Sequence, residues 1–314
     1  PFSVRYSTPV SMEFKFFGHA SIYIKTDKVS IVTDPWFSKK GAFLGSWYQF
    51  PDNTEIDFSW TNNLDYVCLS HEHEDHYDIE FLKSLNKDVK IIIPNYGDDL
   101  LYDEISNLLE NDIIQQNSRE KIQLGDVTFC PVIQSIPGWD DAALIFETPE
   151  GVIANINDMK LTDVDLTFIK NNFKIKYLFK QFSGASWYPM VYPYSHEEKD
   201  NISKKSVINK FNTFINVCQD FDSEYNFPTA GPPCFLDDDF IYLNTVSYSR
   251  FPDQSDFYNY SLNQNFKNID VLLPGDSFNL SDLASQTEEN LKKLFFTDKK
   301  KYLEEYRNKR VHEI

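Results

Sequence analysis

The sequence predicts an α/β protein in which mixed β-sheet is covered by helices. The first two-thirds of the chain consist of short apolar runs separated by turns, a pattern typical of strands. Segments with helical spacing of apolar residues lie between these runs. No Gly/Ser-rich linker divides the chain and no internal repeat is apparent, so we expect residues 1–314 to form a single domain.

The predicted elements follow from the period of the apolar residues. Strands are expected at 14–17, 22–25, 29–33, 66–69, 91–93, 127–132, 144–147 and 152–156. Helices are expected at 78–85, 98–109, 162–170 and 197–220. The C-terminal tail, from about 285 to 314, is charged and helical in period between 287 and 309, which indicates a docked amphipathic helix.

The composition excludes several classes of protein. Lys and Arg number 30 against 48 Asp and Glu, a net charge of −18, which argues against nucleic acid or an anionic membrane as partner. Hydrophobic residues make up 41% and aromatic residues 16%, too many for a disordered chain. No run approaches the ~18 apolar residues of a membrane span, and no signal peptide is visible, so a cytoplasmic location is expected.

The four cysteines are scattered through the chain. They lack CxxC spacing, which excludes a zinc ribbon, and no Cys-x-His pair is present to bind a Rieske cluster within these residues. Reduced cysteines packed in a core are therefore expected.

A histidine-rich segment carries the strongest chemical signal. Three of the six histidines occur in Ser70-His71-Glu72-His73-Glu74-Asp75-His76, directly after the apolar run at 66–69. Alternation places His71 and His73 on one side of the extended chain, and Asp75 and His76 follow where the chain turns into a helix. Imidazole and carboxylate together suit zinc, iron or manganese, and two adjacent groups could hold two ions.

A further carboxylate, Asp158, follows the apolar run Val152-Ile153-Ala154 and should emerge at a strand end. It is either a metal ligand or the N-cap of the following helix, since Asp accepts hydrogen bonds from free backbone N–H groups.

Together with Gly18-His19-Ala20 and Thr33-Asp34-Pro35-Trp36, the histidine segment resembles the metallo-β-lactamase superfamily. The resemblance implies an αββα sandwich of two mixed sheets flanked by helices, with metal bound at one edge of the sheets. It implies that Asp158 ligates or bridges the metals. It also implies that Asp34 accepts a hydrogen bond that fixes the histidine loop, although Asp34-Pro35 could instead start a turn. His19 is expected at the same rim, as a substrate-side or a structural residue.

A closer resemblance extends from about residue 14 to the C-terminus. Its motifs are Asp34-Pro35-Trp36, Gly45-Ser46-Trp47, Ile156-Asn157-Asp158, the segment 181–190 (QFSGASWYPM), the segment 230–235 (AGPPCF) and Pro274-Gly275-Asp276. In this order they look like the catalytic domain of cytidine-monophosphate N-acetylneuraminate hydroxylase and its bacterial relatives. That family implies an iron-dependent oxygenation of a nucleotide sugar, with electrons from a Rieske domain that these residues lack.

The distribution of histidines favours an oxygenase. None lies between His76 and His196, or between His196 and His312, whereas dinuclear zinc hydrolases of the superfamily use two further histidines in those regions. Asp141, or less readily Asp140, could replace the first of them, or could be a turn residue after Pro137-Gly138. Two histidines plus one carboxylate with open positions is the pattern of non-haem iron oxygenases.

The segment around Trp187 is expected to bind substrate. Ser183-Gly184-Ala185-Ser186 is too small and polar for ordinary core, so Ser183, Trp187 and Tyr188, together with His19, are predicted substrate contacts. His196 is a candidate catalytic proton donor or metal-side residue, or else an exposed residue at a helix start. Asp141 is the other candidate catalytic residue.

The leading hypothesis is an oxygenase with one or two iron ions at His71, His73, Asp75, His76 and Asp158, acting on a small molecule with electrons from a separate Rieske or ferredoxin-type donor. The alternative is a metallo-hydrolase that activates water on an ester, amide, lactone or phosphoester, with zinc or manganese as alternative metals. A third reading is a scaffold with a degraded site. Lys180, Arg5 and Arg250 are isolated cations, so no basic cluster for a phosphate is predicted.

Overall fold

The computed structural model of the chain describes residues 12–296 and 298–312, without the side chains of residues 295 and 296. The first of its two sheets has six strands in chain order. The strands are β1 (Glu13–Gly18), β2 (Ser21–Lys25), β3 (Ser30–Thr33), β4 (Tyr66–Cys68), β5 (Lys90–Pro94) and β6 (Ile113–Gln116). Strands β1 to β3 are antiparallel and β3 to β6 are parallel, so this sheet is mixed.

The second sheet also has six strands in consecutive order. They are β7 (Ile122–Leu124), β8 (Val127–Ile133), β9 (Ala142–Thr148), β10 (Gly151–Asn157), β11 (Ile175–Gln181) and β12 (Tyr225–Thr229). Strands β7 to β10 are antiparallel, whereas β10, β11 and β12 are parallel. Because β12 lies at the edge of the sheet, Pro228 within it removes no interior ladder hydrogen bond.

The two sheets pack face to face. Alternate residues of β1 point between them, where Phe14 contacts Tyr177 edge-on and Phe16 stacks on Phe179 at 6.4 Å between ring centroids. Phe179 also stacks on Phe227 of the neighbouring strand at 4.5 Å. These aromatic rings belong to one buried cluster shared by both sheets, which is the core of a β-sandwich.

The described residues include seven α-helices. They are α1 (Ile79–Ser84), α2 (Leu100–Leu108), α3 (Asp163–Asn172), α4 (His196–Phe221), α5 (Gln254–Asn263), α6 (Leu283–Phe296) and α7 (Lys299–Arg310). Helices α1 and α2 pack on the first sheet through a cluster that includes Phe81 and Ile105. Helices α3, α4 and α5 pack on the second sheet around Ile169 and Phe214. The layers are therefore α, β, β, α, which confirms the predicted sandwich.

The sequence located most elements up to β10 and missed several others. All eight predicted strands and the four predicted helices before the tail are present within a few residues of the expected bounds. Strands β6, β7, β11 and β12 and helix α5 were not predicted. The tail forms two helices rather than one, because Asp298 caps α7 by accepting hydrogen bonds from the N–H groups of Lys300 and Lys301. That residues 1–314 form a single domain stays a prediction.

Candidate metal centre

The candidate site lies where strands of both sheets end. His71 to His76 follow β4 and lead into α1, whose N-terminus is capped by Asp78. Asp34 follows β3, and Asp158 follows β10 on the other sheet. His19 lies in the turn between β1 and β2. The sandwich thus brings together side chains that are more than a hundred residues apart in the chain.

One group consists of His71, His73 and Asp141. One ligand atom from each lies within 4.8 Å of the others. His71 Nε2 is 2.8 Å from His73 Nδ1 and 3.6 Å from Asp141 Oδ1. Asp141 directly precedes β9. Its backbone carbonyl accepts a hydrogen bond from the N–H of Gln134, which fixes the start of that strand. The carboxylate therefore lies beside the histidine pair, as expected if Asp141 replaces an imidazole.

A second group is centred on His76, whose ring is fully buried. Its Nε2 lies 3.5 Å from Asp158 Oδ2 and 3.7 Å from Asp75 Oδ2. His19 Nε2 lies 2.9 Å from the same oxygen of Asp75. Sets of potential ligand atoms within 4.8 Å of one another are formed by His19 with Asp75 and His76, and by His71 with His76 and Asp158. The imidazole of His76 is therefore shared between them.

The contacts of His76 test whether a cation fits between these side chains. His76 Nε2 is buried and has no hydrogen-bond partner among the described residues, although two carboxylates face it at 3.5 and 3.7 Å. Such distances are too long for hydrogen bonds. A buried ring nitrogen that faces two carboxylates without a hydrogen bond is costly unless a proton or a metal cation lies between them. The donor set therefore fits a bound transition-metal ion.

Asp34 orients the histidine loop. Its carboxylate is fully buried and accepts hydrogen bonds from the Ser70 N–H at 2.7 Å and the Ser70 hydroxyl at 2.6 Å. Oδ2 also lies 2.9 Å from His76 Nδ1. With the proton of His76 on Nδ1, the ring donates to Asp34 and keeps Nε2 free for a cation. The predicted role of Asp34 agrees with these contacts, and we retain it as a proposal.

The backbone at the site is held in a sparsely populated conformation. His19, Asp34 and Asn157 have φ values of 51°, 35° and 41°, in the left-handed region. Such strain persists only where surrounding contacts enforce it, and it is frequent at functional sites. For Asn157 the contact is visible, because its side chain donates to the Ala142 carbonyl at 2.9 Å and accepts from the Asp158 N–H at 2.6 Å.

The turn that carries His19 is closely packed from behind. The side chain of Asn53 donates to the carbonyls of Phe17 and Trp36 at 2.9 and 3.0 Å. A Cβ atom at Gly18, whose φ is 107°, would lie 2.7 Å from Asn53 Nδ2, so only glycine fits there. The Trp36 ring contacts the His19 ring edge-on at 4.9 Å between centroids. These contacts fix the ring of His19 beside Asp75.

Burial and neighbouring charges shift the acidity of the cluster. Burial, assisted by the nearby His76, holds the pKa of His71 well below its usual range. Burial opposes a charge on His76, yet Asp158 and Asp75 outweigh it and raise its pKa well above the usual value. Burial and the Asp158 carboxylate raise the pKa of Asp141 to about 6. The cluster thus concentrates negative charge that a metal cation would neutralise.

Sequence reasoning missed one support of Asp158. Gln181, the last residue of β11, donates from Nε2 to Asp158 Oδ1 at 2.8 Å. Its Oε1 accepts a hydrogen bond from the ammonium of Lys210 on α4. The segment 181–190 was singled out in the sequence, but nothing in the spacing indicated that Gln181 contacts the histidine and aspartate cluster.

The predicted substrate residues lie on the adjoining loop. Ser183 is buried, and its hydroxyl has no hydrogen-bond partner in the described structure. Trp187 packs on Phe235 at 4.7 Å, whereas Tyr188 is exposed. His196 is exposed at the first residue of α4, with its ring 5.3 Å from that of Tyr248. In the part of the chain the structure describes, His196 belongs to none of the three histidine and carboxylate groups.

A two-sheet sandwich with a histidine and aspartate cluster at the shared edge defines a protein of metallo-β-lactamase fold. Residues 13–167 match the family model described as a beta-lactamase superfamily domain. The chain thus contains a domain of that superfamily, which confirms the resemblance given by the histidine motif. The narrower resemblance to cytidine-monophosphate N-acetylneuraminate hydroxylase stays a prediction.

The relatives point to both redox and hydrolytic proteins. A Mycobacterium tuberculosis protein whose name includes the words Rieske 2Fe-2S iron-sulfur protein is 28% identical over 313 residues, covering 94% of this chain. This chain spans about 60% of that relative's length. The solved structure of CmlA, a diiron β-hydroxylase from Streptomyces venezuelae, has a TM-score of 0.57 at 12% identity, covering 87% of this chain and 55% of CmlA.

A hydrolase has a similar fold. Igni18, described as a metallo hydrolase from the archaeon Ignicoccus hospitalis, has a TM-score of 0.56 at 15% identity, covering 85% of this chain and 97% of Igni18. Identities this low establish the shared fold and leave the reaction open. Among the described residues, no helix is long and apolar enough to cross a membrane.

Proposed function

We propose that the protein is a metal-dependent oxygenase, with non-haem iron as its metal, that hydroxylates or oxidises a small molecule. The observation that carries this proposal is the position of Asp141, whose carboxylate lies 3.6 Å from His71 Nε2. With it, the cluster offers three aspartates beside the histidines. Oxygen-rich sites favour iron or manganese over tetrahedral zinc, and two histidines with one carboxylate is a pattern of non-haem iron oxygenases.

The ligands divide into two sets that would hold two ions. His71, His73 and Asp141 would hold the first, and Asp75, His76 and Asp158 the second. Bound iron would supply the one-electron chemistry with dioxygen, which amino-acid side chains lack.

The surrounding residues orient these ligands. Asp34 keeps the proton of His76 on Nδ1 and so directs Nε2 into the gap between the carboxylates. Gln181 binds Oδ1 of Asp158, which leaves Oδ2 facing His76. The burial of His71, Asp75 and His76 excludes water from the inner side of the cluster. Substrate would approach from the side of His73 and Asp158, which are more accessible to solvent.

The electrons would come from a separate donor of Rieske or ferredoxin type. Two findings support this part of the proposal. The name of the Mycobacterium tuberculosis relative includes the words Rieske 2Fe-2S iron-sulfur protein, and this chain covers only about 60% of that relative's length. Among the described residues, none of the four cysteines belongs to a group of potential metal ligands.

The alternative function is a metallo-hydrolase, in which a metal-bound water attacks an ester, amide, lactone or phosphoester. It is favoured by the fully buried imidazole of His76 and by the buried imidazole of His71, since imidazole is a frequent zinc ligand. Zinc or manganese would then replace iron.

Oxygen uptake distinguishes the two functions. The 314-residue chain is loaded with ferrous iron under nitrogen, then supplied with oxygen, NADPH, ferredoxin and ferredoxin reductase. We expect oxygen consumption above that of the His76→Ala variant. His312→Ala, which removes an exposed histidine outside the cluster, is the matched control and should behave like the parent chain.

The same preparations test hydrolysis. The zinc-loaded chain is incubated with p-nitrophenyl acetate and bis-p-nitrophenyl phosphate in the absence of oxygen. Turnover here that depends on His76, together with no oxygen uptake by the iron form, would replace the oxygenase with the hydrolase.

A further inference from the structure

A cluster of basic side chains lies beside the metal site, which corrects the prediction that the cations are isolated. Lys160 follows Asp158 by two residues, and Lys180 lies in β11 next to Gln181. Lys210 reaches the same place from α4, and Arg250 from the segment before α5. Arg5, the remaining cation singled out in the sequence, lies outside the described residues. The chain therefore concentrates positive charge here despite a net charge of −18.

Lys210 is linked to the metal site through a single side chain. Its ammonium donates to Gln181 Oε1, and Gln181 Nε2 donates to Asp158 Oδ1 at 2.8 Å. The ammonium thus lies two hydrogen bonds from a proposed metal ligand. It has two further N–H groups with which to bind a molecule at the site.

Arg250 lies against the face of α4 that carries Lys210. Its Nη2 donates to the hydroxyl of Ser206, which lies one helical turn before Lys210, so the two cations are neighbours. Its Nη1 donates to the carbonyl of Tyr188 at 2.6 Å. Arg250 Nε is buried and has no hydrogen-bond partner among the described residues. The side chain is therefore fixed in place with donor capacity left over.

In the described structure these cations have no carboxylate partner. Within residues 12–296 and 298–312, no carboxylate lies within 4.0 Å of the charged nitrogens of Lys160, Lys180, Lys210 or Arg250, whereas other basic residues such as Arg119 and Arg310 are paired. Lys160 instead lies over the exposed ring of Trp139, at 3.7 Å from its centroid.

Mutual repulsion is visible in the acidity of the buried amines. Burial, assisted by the neighbouring Lys210, lowers the pKa of Lys180 to about 8. Burial also lowers the pKa of Lys210; Asp158 opposes this shift, whereas Lys160 and Arg250 add to it. An anion bound between these groups would relieve the repulsion.

We propose that Lys210 and Arg250, with Lys160 at the rim, bind an anionic group of the substrate, a carboxylate or a phosphate, and hold the rest of the molecule against the metal cluster. This inference rests on the proposed function only in that it takes the bound molecule to be the substrate. The cations can bind an anion with or without metal. The guanidinium of Arg250 suits planar carboxylate and phosphate oxygens, and the ammonium of Lys210 adds a point charge. Lys180 is buried and donates to the Met159 carbonyl at 3.3 Å. It therefore adds positive electrostatic potential to the site but does not contact the anion.

Calorimetric titration of the full 314-residue chain tests the proposal. The probes are phenyl phosphate, benzoate and the uncharged benzyl alcohol. We expect saturable binding of at least one anion and none of the alcohol. Arg250→Gln and Lys210→Met should each weaken that binding at least about tenfold, since hydrogen bonds to charged groups are the stronger ones. Lys205→Met, an exposed change on the same helix, is the matched control and should bind like the parent chain.

The same titrations on the His71→Ala variant separate this inference from the proposed metal function. Binding that persists in His71→Ala and is weakened by Arg250→Gln supports the cationic site even if the metal chemistry fails. Binding lost only in His71→Ala means that the anion ligates the metal, which overturns the inference and leaves the metal site intact.

Two further outcomes would also overturn it: no binding of either anion, and binding that is unchanged in both cation variants. A preference for phenyl phosphate or for benzoate identifies the anionic group. Thermal unfolding of each variant verifies its fold, and because two independent cations are changed, one misfolded variant leaves the other as the test.

Discussion

Replacing Asp34 should weaken metal binding without touching a metal ligand. Its buried carboxylate accepts from Ser70 N–H at 2.7 Å, from Ser70 Oγ at 2.6 Å and from His76 Nδ1 at 2.9 Å. Asp34→Ala leaves at least two buried donors unsatisfied, at about 1–3 kcal/mol each, so the free energy of unfolding should fall by about 2–6 kcal/mol. Loss of a partner that orients a metal-binding histidine typically costs about 10–100-fold in metal affinity.

Competition with a metal chelator measures that affinity, and urea unfolding measures the stability. Asp34→Asn is the informative partner variant, since its carbonyl can still accept from the Ser70 N–H while its amide cannot accept from His76. We expect it to recover part of the stability and little of the metal affinity. Asp27→Ala, in the exposed turn between β2 and β3, is the matched control. A folded Asp34→Ala protein with the metal affinity of the parent chain would refute this role for Asp34.

Three further predictions concern the ligands, the C-terminal helix and acid stability. Asp75→Ala and His76→Ala should abolish activity while near-parent far-UV circular dichroism is retained; insolubility of both would indicate a mainly structural role. Arg310 is buried and binds Asp52 at 2.9 and 3.0 Å, so Arg310→Met should cost about 3–5 kcal/mol in urea unfolding, and a cost below 1 kcal/mol would contradict the buried ion pair. Burial opposes ionisation of Asp165, but hydrogen bonds from hydroxyl and amide groups outweigh it and lower its pKa. The stabilisation by the Asp165 carboxylate is present above the unfolded-state pKa of about 4 and is lost as the pH falls through the lower folded-state pKa. Asp165→Asn should therefore make the free energy of unfolding less sensitive to acid. An unchanged dependence of that free energy on pH would contradict this.

The sequence was most informative where a local pattern decides the structure. The alternating apolar residues of β1 and the apolar run of β10 predicted their strands, because one face or both faces of each strand are buried. Strand β11 was missed because Lys176 and Lys180 interrupt its apolar run, and β12 because Pro228 argues against a strand. Lys180 is buried there because it donates to a backbone carbonyl, a contact that only the tertiary structure supplies.

The candidate site also has one part that the local sequence pattern predicted and another part that it did not. The spacing of His71, His73, Asp75 and His76 predicted a metal site, since all four residues lie on one loop. Its remaining parts come from other elements: Asp141 from the start of β9, His19 from the first hairpin, and the Gln181 and Lys210 pair from β11 and α4. No local sequence spacing predicts that these residues lie close together. Their proximity depends on how the two sheets align at one edge.

The central claim is that the histidine and aspartate cluster binds transition-metal ions, iron in particular. Diffraction from crystals of the iron-loaded chain, recorded on both sides of the iron absorption edge, tests it most directly. We predict anomalous density that changes across that edge, with one peak among His71, His73 and Asp141 and another among Asp75, His76 and Asp158. Density at neither position after saturation with iron, manganese and zinc in turn would contradict the account.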